Sequence, residues 1–447
     1  MYNNSFQATQ NNINNQPPIS FDNGSSQVGA KSHKPLITGV FCGIAGLVLG
    51  GLSIFGLTEL TKKPVTCPEC NCPSQGLQTA PSGLDLDFIK LELANENIIY
   101  SPLSIRNGLA LLSDGAEGKT AKEINDLLGD IELPVYQNEE NTLSLANAVF
   151  VRDSFKDYVL PNYISTIESK YNSEVIYDDF SSTIGMDNWV NQKTFGLIDK
   201  IDLQVNNETK MVLANALAIQ MDWQDSFDSS DTHGSTFYSG DGEEIEATTM
   251  HKETTSEDIK YYLDDNFTII SLPLAETKAG TQLEFDAIMP ADDLGKYIEG
   301  LSVADLYTAL EKTISASTQG NGIKISIPKF KFEYKLKFKE DLNSLGIATA
   351  FSRDNADFSK MSTKPLYVSD AVHKANIDFS EDGIKAAAVT AFGMKQAITS
   401  VEPEGPLEVT INHPFLFVIR DKGTRTIWFT GTVYQPNLWS DDASSYY

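Results

Sequence analysis

The sequence predicts an α+β fold for residues 83–447, and three observations carry that expectation. Stretches with strand-like alternation and stretches with helical spacing are interspersed, without the regular strand–helix alternation of a doubly wound sheet. No internal repeat is visible. All four cysteines (Cys42, Cys67, Cys70 and Cys72) lie in the first 72 of 447 residues, so the remainder coheres without disulfides, which suits either redox compartment.

The N-terminal region divides by composition. Residues 1–35 hold seven Asn and four Gln with few large apolar groups, too little apolar surface to offset ordering entropy, and are expected to be a disordered tail. Residues 36–57 are 22 residues without a charge, long enough for a transmembrane helix. Gly39, Gly43, Gly46 and Gly50 form one smooth stripe along it, where another helix could pack closely. Lys31 and Lys34 on one flank tie with Lys62 and Lys63 on the other under the positive-inside rule. Residues 58–82 read as a Cys- and Pro-containing stalk. Cys67, Cys70 and Cys72 have the spacing of a metal knuckle, but no fourth ligand lies nearby. Interchain disulfides between neighbouring stalks are the other reading, so a homodimer through the membrane helix or the stalk cysteines stays open.

Beyond the stalk, apolar residues recur at helical spacing over Asp85–Asn95 and Thr120–Leu128. Leu143–Val151, Met211–Gln220, Ile323–Phe332, Asn412–Val418 and Thr426–Tyr434 read as strands. Of the 34 basic and 61 acidic residues in the chain, 30 and 58 lie beyond Ser82. A surface this acidic repels polyanions, which argues against a nucleic-acid partner and against a heparin-type cofactor. The five histidines (His33, His233, His251, His373 and His413) never take the spacing of a zinc protease. There is no nucleophile elbow, phosphate-binding loop or dinucleotide fingerprint, so neither an enzyme nor a cofactor or metal site is expected.

The most informative stretch begins at Glu381. At period two it separates into two faces. Ile384, Ala386, Ala388, Thr390, Phe392 and Met394 are uncharged throughout, while Lys385 and Lys395 fall on the opposite face. Such a segment can enter a sheet with one face buried. On propensity alone a short Ala-rich helix is equally compatible.

The order Glu381, Gly383, small residues, then Thr390 resembles the hinge of the reactive loop in serpins, a family of suicide protease inhibitors. The resemblance runs along residues 84–436. Asn97–Ile105, Gly115–Ile124, Leu145–Val151, Trp189–Thr194, Leu213–Leu217, Trp223, Ile327–Phe330, Leu345–Ile347, Ala356–Ser359 and Val372–Ala375 all match serpin segments in family order. It implies a single serpin domain over 83–447, with a large, mainly antiparallel central sheet, surrounding helices and an exposed loop. The chain departs from the family between Gly129 and Asn141, which is too short for a full fourth helix.

What the resemblance further implies is a covalent trap. A serine or cysteine protease cuts the loop, about residues 383–405, and is carried off as the loop inserts into the sheet. The family's hinge length places the cut at Ala397–Ile398, a small residue suited to an elastase- or subtilisin-like protease. Lys395–Gln396 is the rival bond and would point to a trypsin-like target. Ile384 and Lys385 depart from the small hydroxyl and the acid usual there. Ser101, Ser104, Asn215 and His373 match a polar cluster under the sheet, and Glu381 with Lys329 matches a salt bridge near Trp223. A domain acting on surface or secreted proteases would stand outside the cell on a single-pass anchor. The alternative is a non-inhibitory binding or surface scaffold protein with the same fold.

Overall fold

The computed structural model describes residues 82–129, 133–384 and 405–436. The stretch assigned to the central sheet falls into two halves. The first contains β1 (Leu143–Arg152), β2 (Glu174–Asp178) and β3 (Met211–Ile219), with β1 parallel to β2 and antiparallel to β3. After Gln220 the chain continues as β4 (Met221–Asp222). The second half contains β5 (Phe330–Lys335), β6 (Lys374–Phe379) and β7 (Gly383–Ile384), in the order β5-β6-β7-β4. All its pairings are antiparallel.

Behind it lies a seven-stranded antiparallel sheet that includes Leu283–Pro290, Phe415–Asp421 and Ile427–Val433. A four-stranded sheet runs in the order Leu407–Thr410, Ile323–Pro328, Glu244–Thr254, His233–Tyr238. Aromatic rings hold the sheets together: Phe330 stacks on Phe379 at 4.7 Å, and Phe285 lies 4.5 Å from Phe379 and 5.7 Å from Phe417. Aligned large rings bury far more area per residue than aliphatics, so this cluster fixes where the sheets meet.

The helix Pro102–Asp114 packs beneath the split sheet. Its start is written in the sequence, because Ser101 Oγ accepts from Ser104 N at 3.0 Å while Pro102 occupies the first turn, where a missing N–H costs nothing. Leu103, Ile105, Leu109 and Leu111 are buried, and so is Arg106, paired with the buried Asp85. The helix Gly118–Leu128 follows, and among the described residues between it and β1 there is no helix. The fourth helix is therefore curtailed, as its short span requires.

Element boundaries shift where tertiary structure intervenes. Ile323–Phe332, expected as one strand, is two strands in different sheets. Pro328 has no N–H to donate, Lys329 N makes the last bond to the first partner strand at Thr248 O (2.8 Å), and Phe330 then pairs with Phe379 in the other sheet. Asp85–Asn95 is a 3₁₀ turn, Gly83–Asp85, followed by a helix limited to Asp87–Glu92.

One expectation is corrected. The chain was expected to be a membrane-anchored, single-pass protein with its domain outside the cell. No helix among the described residues is long and apolar enough to cross a membrane. The longest, Pro102–Asp114, has 13 residues, about 20 Å at the α-helical rise and well short of a hydrocarbon core about 30 Å thick. The tail 1–35, the transmembrane segment 36–57 and the stalk with Cys67, Cys70 and Cys72 lie outside the described residues. Membrane attachment and a homodimer through these segments are without support.

A buried charge cluster in the seven-stranded sheet has a measurable consequence. Glu284 stands opposite Arg420 in register, with Asp286 two residues along on the same face. Arg420 reaches Glu284 Oε1 at 2.8 Å and Asp286 Oδ2 at 2.7 Å, so two buried carboxylates share one guanidinium. Burial, then the neighbouring Asp286, pushes Glu284 up to about 7. A carboxyl raised on folding gives stability that is complete below its unfolded value and lost as pH climbs through about 7. Urea titrations of the wild type should show stability falling over that window, and Glu284→Gln should flatten this component of the profile.

Candidate functional site

The sequence reaches the split sheet at its top edge through a tight reversal. After Phe379 the chain turns at Ser380–Asp382 and comes back as β7 between β4 and β6. Ile384 stands opposite both Met221 and Phe379, and Gly383 stands opposite Asp222. Trp223 secures the turn, because its Nε1 donates to Ser380 O at 2.8 Å and its backbone N–H to Asp382 O at 2.8 Å. Phe227 N donates to Glu381 O at 3.0 Å. Lys329 Nζ lies 2.8 Å from Glu381 Oε2, with both side chains largely buried. Burial raises the Glu381 carboxyl, but hydrogen bonds, first from Lys329 and then from its own backbone N–H, together with the Lys329 charge, outweigh it and hold the group below its ordinary value. Glu381, Lys329 and Trp223 thus form one junction at the top of the sheet.

Below that junction, among the described residues, β3 and β6 belong to separate halves of the sheet. β7 runs antiparallel to β4 and to β6, and β4 continues β3, so β3 and β6 are parallel. Among the described residues the two are not paired to each other. A cavity of about 700 Å³ separates them, with Leu213–Ile219 on one wall and Lys374–Asp378 on the other. A second cavity of about 760 Å³ continues downward past Asn215 and His373. The edge N–H and C=O groups facing such a gap are a template for another strand.

A polar cluster lies at the floor of the opening in its middle stretch. Ser101 N donates to His373 Nε2 at 3.0 Å, and Ser101 Oγ donates to Trp428 O at 2.6 Å. Ser104 Oγ donates to Asn215 Oδ1. Burial pushes His373 down to about 4, so the ring is neutral near pH 7 and its Nε2 is free to accept. Ser101, Ser104, Asn215 and His373 therefore meet around the start of the helix Pro102–Asp114.

Several participants were not singled out from sequence. Asn147 Oδ1 accepts from Asn215 Nδ2 at 2.7 Å, and the two asparagines face each other in register on β1 and β3. A signal was present: both are the middle residue of an Ala-Asn-Ala triplet. Asn376 Nδ2 donates to Leu197 O, and Lys374 Nζ lies 3.7 Å from Asp202 Oδ2. These two bonds fasten the segment over the outer side of the gap to β6, and nothing in the local pattern announces them.

Gly383 and Ile384 are the last described residues of the hinge stretch. Ala386, Ala388, Thr390, Lys395, Gln396, Ala397 and Ile398 lie outside the described residues. Ile384, large for a first inserted position, is buried among Met221, Phe379 and their neighbours.

The Serpin (serine protease inhibitor) family profile matches residues 86–436. The chain is 30% identical over 368 residues to the leukocyte elastase inhibitor of Xenopus tropicalis, spanning 77% of this chain and 94% of that protein. It is 28% identical to an uncharacterized serpin-like protein of Methanosarcina mazei, over 77% of this chain and 83% of the relative. The crystal structure of tengpin, a thermophilic serpin, in its native state superimposes with a TM-score of 0.67 at 29% identity, covering 79% of this chain and 93% of tengpin. None of these similarities lends support to the membrane-anchored localisation corrected above.

The close approach at Gly383 is testable. A Cβ there would stand 2.3 Å from Met221 O and 2.6 Å from Asp222 Cα, both backbone atoms that cannot swing away. Gly383→Ala should lower stability in urea by about 1–3 kcal/mol and speed amide exchange at Met221–Trp223.

Proposed function

Because this chain belongs to the serpin family and has its fold, we propose that it is a protease inhibitor working as a covalent trap, with residues 83–447 as the inhibitory domain. The observation that carries this reading is the gap between β3 and β6 with β7 already seated at its upper end. β7 points down the gap, antiparallel to both walls. Strand addition to a sheet edge is a general recognition mode, and serpin loop insertion is one established case of it.

Continuing the register of β7 supports the reading residue by residue. Ile384 faces Met221 on one side and Phe379 on the other. Counting onward, Ala386 would face Ile219 and Ile377, and Ala388 would face Leu217 and Ala375. Thr390 would fall between Asn215 and His373, and Met394 opposite Met211, where β3 begins. The one polar residue on the inner face of the hinge would thus meet the polar cluster of Ser104, Asn215 and His373. Everywhere else the inner face is small or apolar, and an unpaired charge there would cost several kcal/mol.

In the proposed reaction a protease serine or cysteine attacks the carbonyl of the bait residue. The acyl bond forms, and the peptide bond to the next residue breaks, with its amine taking a proton. Insertion of the freed strand then gains backbone hydrogen bonds along both walls before water can hydrolyse the acyl-enzyme. The uncut protein is held in its open form by a kinetic barrier. Ala397–Ile398 is the proposed bond, which suits an elastase- or subtilisin-like protease. Lys395–Gln396 would suit a trypsin-like one.

The purified chain incubated with an elastase-like protease should give a complex that survives boiling in detergent, and mass spectrometry of the released peptide should begin at Ile398. Release of a peptide beginning at Gln396 would move the bond to Lys395. A clipped loop without complex would sink the trap and leave the non-inhibitory binding or scaffold reading. Thr390→Arg should reduce complex formation by at least about tenfold while leaving cleavage intact, because the guanidinium would have to enter the polar floor unpaired. Melting temperature after cleavage should rise in the wild type and fail to rise in this variant.

A further inference from the structure

The four-stranded sheet beside the gap carries a pair of imidazoles that the trapping reaction does not use. His233 and His251 lie on adjacent antiparallel strands, their rings stacked with centroids 4.1 Å apart and planes within 16°. His251 Nδ1 is 2.9 Å from Ser326 Oγ, and its Nε2 is 3.4 Å from Ser235 Oγ. His233 is exposed and His251 half-buried, so both can exchange protons with solvent.

The position of the pair gives it reach in two directions. Ser326 stands between His251 and Thr410 in register, and Ser326 O accepts from Ile411 N at 2.8 Å. That row runs from the histidines to the strand that resumes the chain after the proposed loop. On the other side His233 faces Thr249, which faces Pro328. The next residue, Lys329, donates to Thr248 O and carries the ion pair with Glu381 at the top of the gap. Both described flanks of the proposed loop therefore hang on strands that flank this stack.

Charges around it are mixed. Lys324, opposite Glu253 and 3.6 Å from Glu408, adds positive field at His251, and Asp231 opposes it. Burial, then His233 and Lys324, holds the His251 ring below its ordinary value. A histidine depressed on folding favours the folded state fully above its unfolded value, and that contribution is lost as pH falls through the depressed value.

We propose that the stacked His233–His251 pair is an acid-sensitive fastener: when both rings carry a proton, their repulsion loosens the four-stranded sheet that holds both flanks of the loop. Its consequence for inhibition rests on the trap reading, but the fastener itself does not. The test is hydrogen–deuterium exchange of the full chain at about pH 5 and about pH 7.5, corrected for intrinsic rates. Peptides covering 231–254, 323–329 and 405–411 should exchange about tenfold faster at the acid pH. His233→Phe keeps a stacked ring without charge and should abolish that difference while leaving exchange at neutral pH unchanged. His251→Gln, which retains a partner for Ser326, should do the same. An acid response that persists in both variants, or no response in the wild type, would overturn the proposal. Failure to trap a protease would leave these readouts untouched, so the two readings can fail separately.

Discussion

The described sheet depends on one interruption, between the half that holds β3 and the half that holds β6. β3 and β6 run parallel with a cavity of about 700 Å³ between them. An antiparallel strand between them would satisfy both edges at once, and among the described residues Gly383 and Ile384 supply such pairing at the top. Edges of this kind are what the proposed insertion would use. The junction at Glu381, Lys329 and Trp223 and the fastening of the outer segment by Asn376 and Lys374 hold the uncompleted state together. Neither feature fills the gap, so both act as restraints and not as substitutes for a strand.

In the proposed reading the polar floor would set which side chain an inserting strand can carry at its level. His373 is buried, which holds its ring below its ordinary value, and it accepts from Ser101 N at the cap of the helix beneath it. Asn215 bridges that helix to β1 through Asn147. Buried polar networks are costly unless satisfied, so an incoming strand that offered a charge at this level would be opposed, and one that offered a small hydroxyl would not. The same argument explains why Ile384 is tolerated at the top: its surroundings there are Met221, Phe379 and other apolar groups.

Much of the fold was legible because its signals are local. Ser101 and Pro102 start a helix wherever they precede an apolar stripe, and alternation marks β1 and β3 to within a residue or two. The break of Ile323–Phe332 into strands of two sheets was not legible, since only the partners on either side of Lys329 reveal it. Of the site, Ser101, Ser104, Asn215 and His373 lie together, as do Glu381, Lys329 and Trp223, while Asn147, Asn376 and Lys374 escaped. Asn147 had a signal in its Ala-Asn-Ala triplet. The other two act through a backbone carbonyl and a carboxylate distant in sequence, which leaves no pattern to read.

By itself the sequence determined the α+β class and the uncharged alternate positions from Ile384 to Met394, because composition and periodicity depend only on near neighbours, while the family was legible through the order of its motifs. The interruption between β3 and β6 among the described residues, the register that sets Ile384 between Met221 and Phe379, the contact that leaves no room for a side chain at Gly383 and the stacking of His233 on His251 came only from tertiary structure. Each of these joins residues far apart in the chain, and such pairings are fixed by the whole sheet and not by any segment of it.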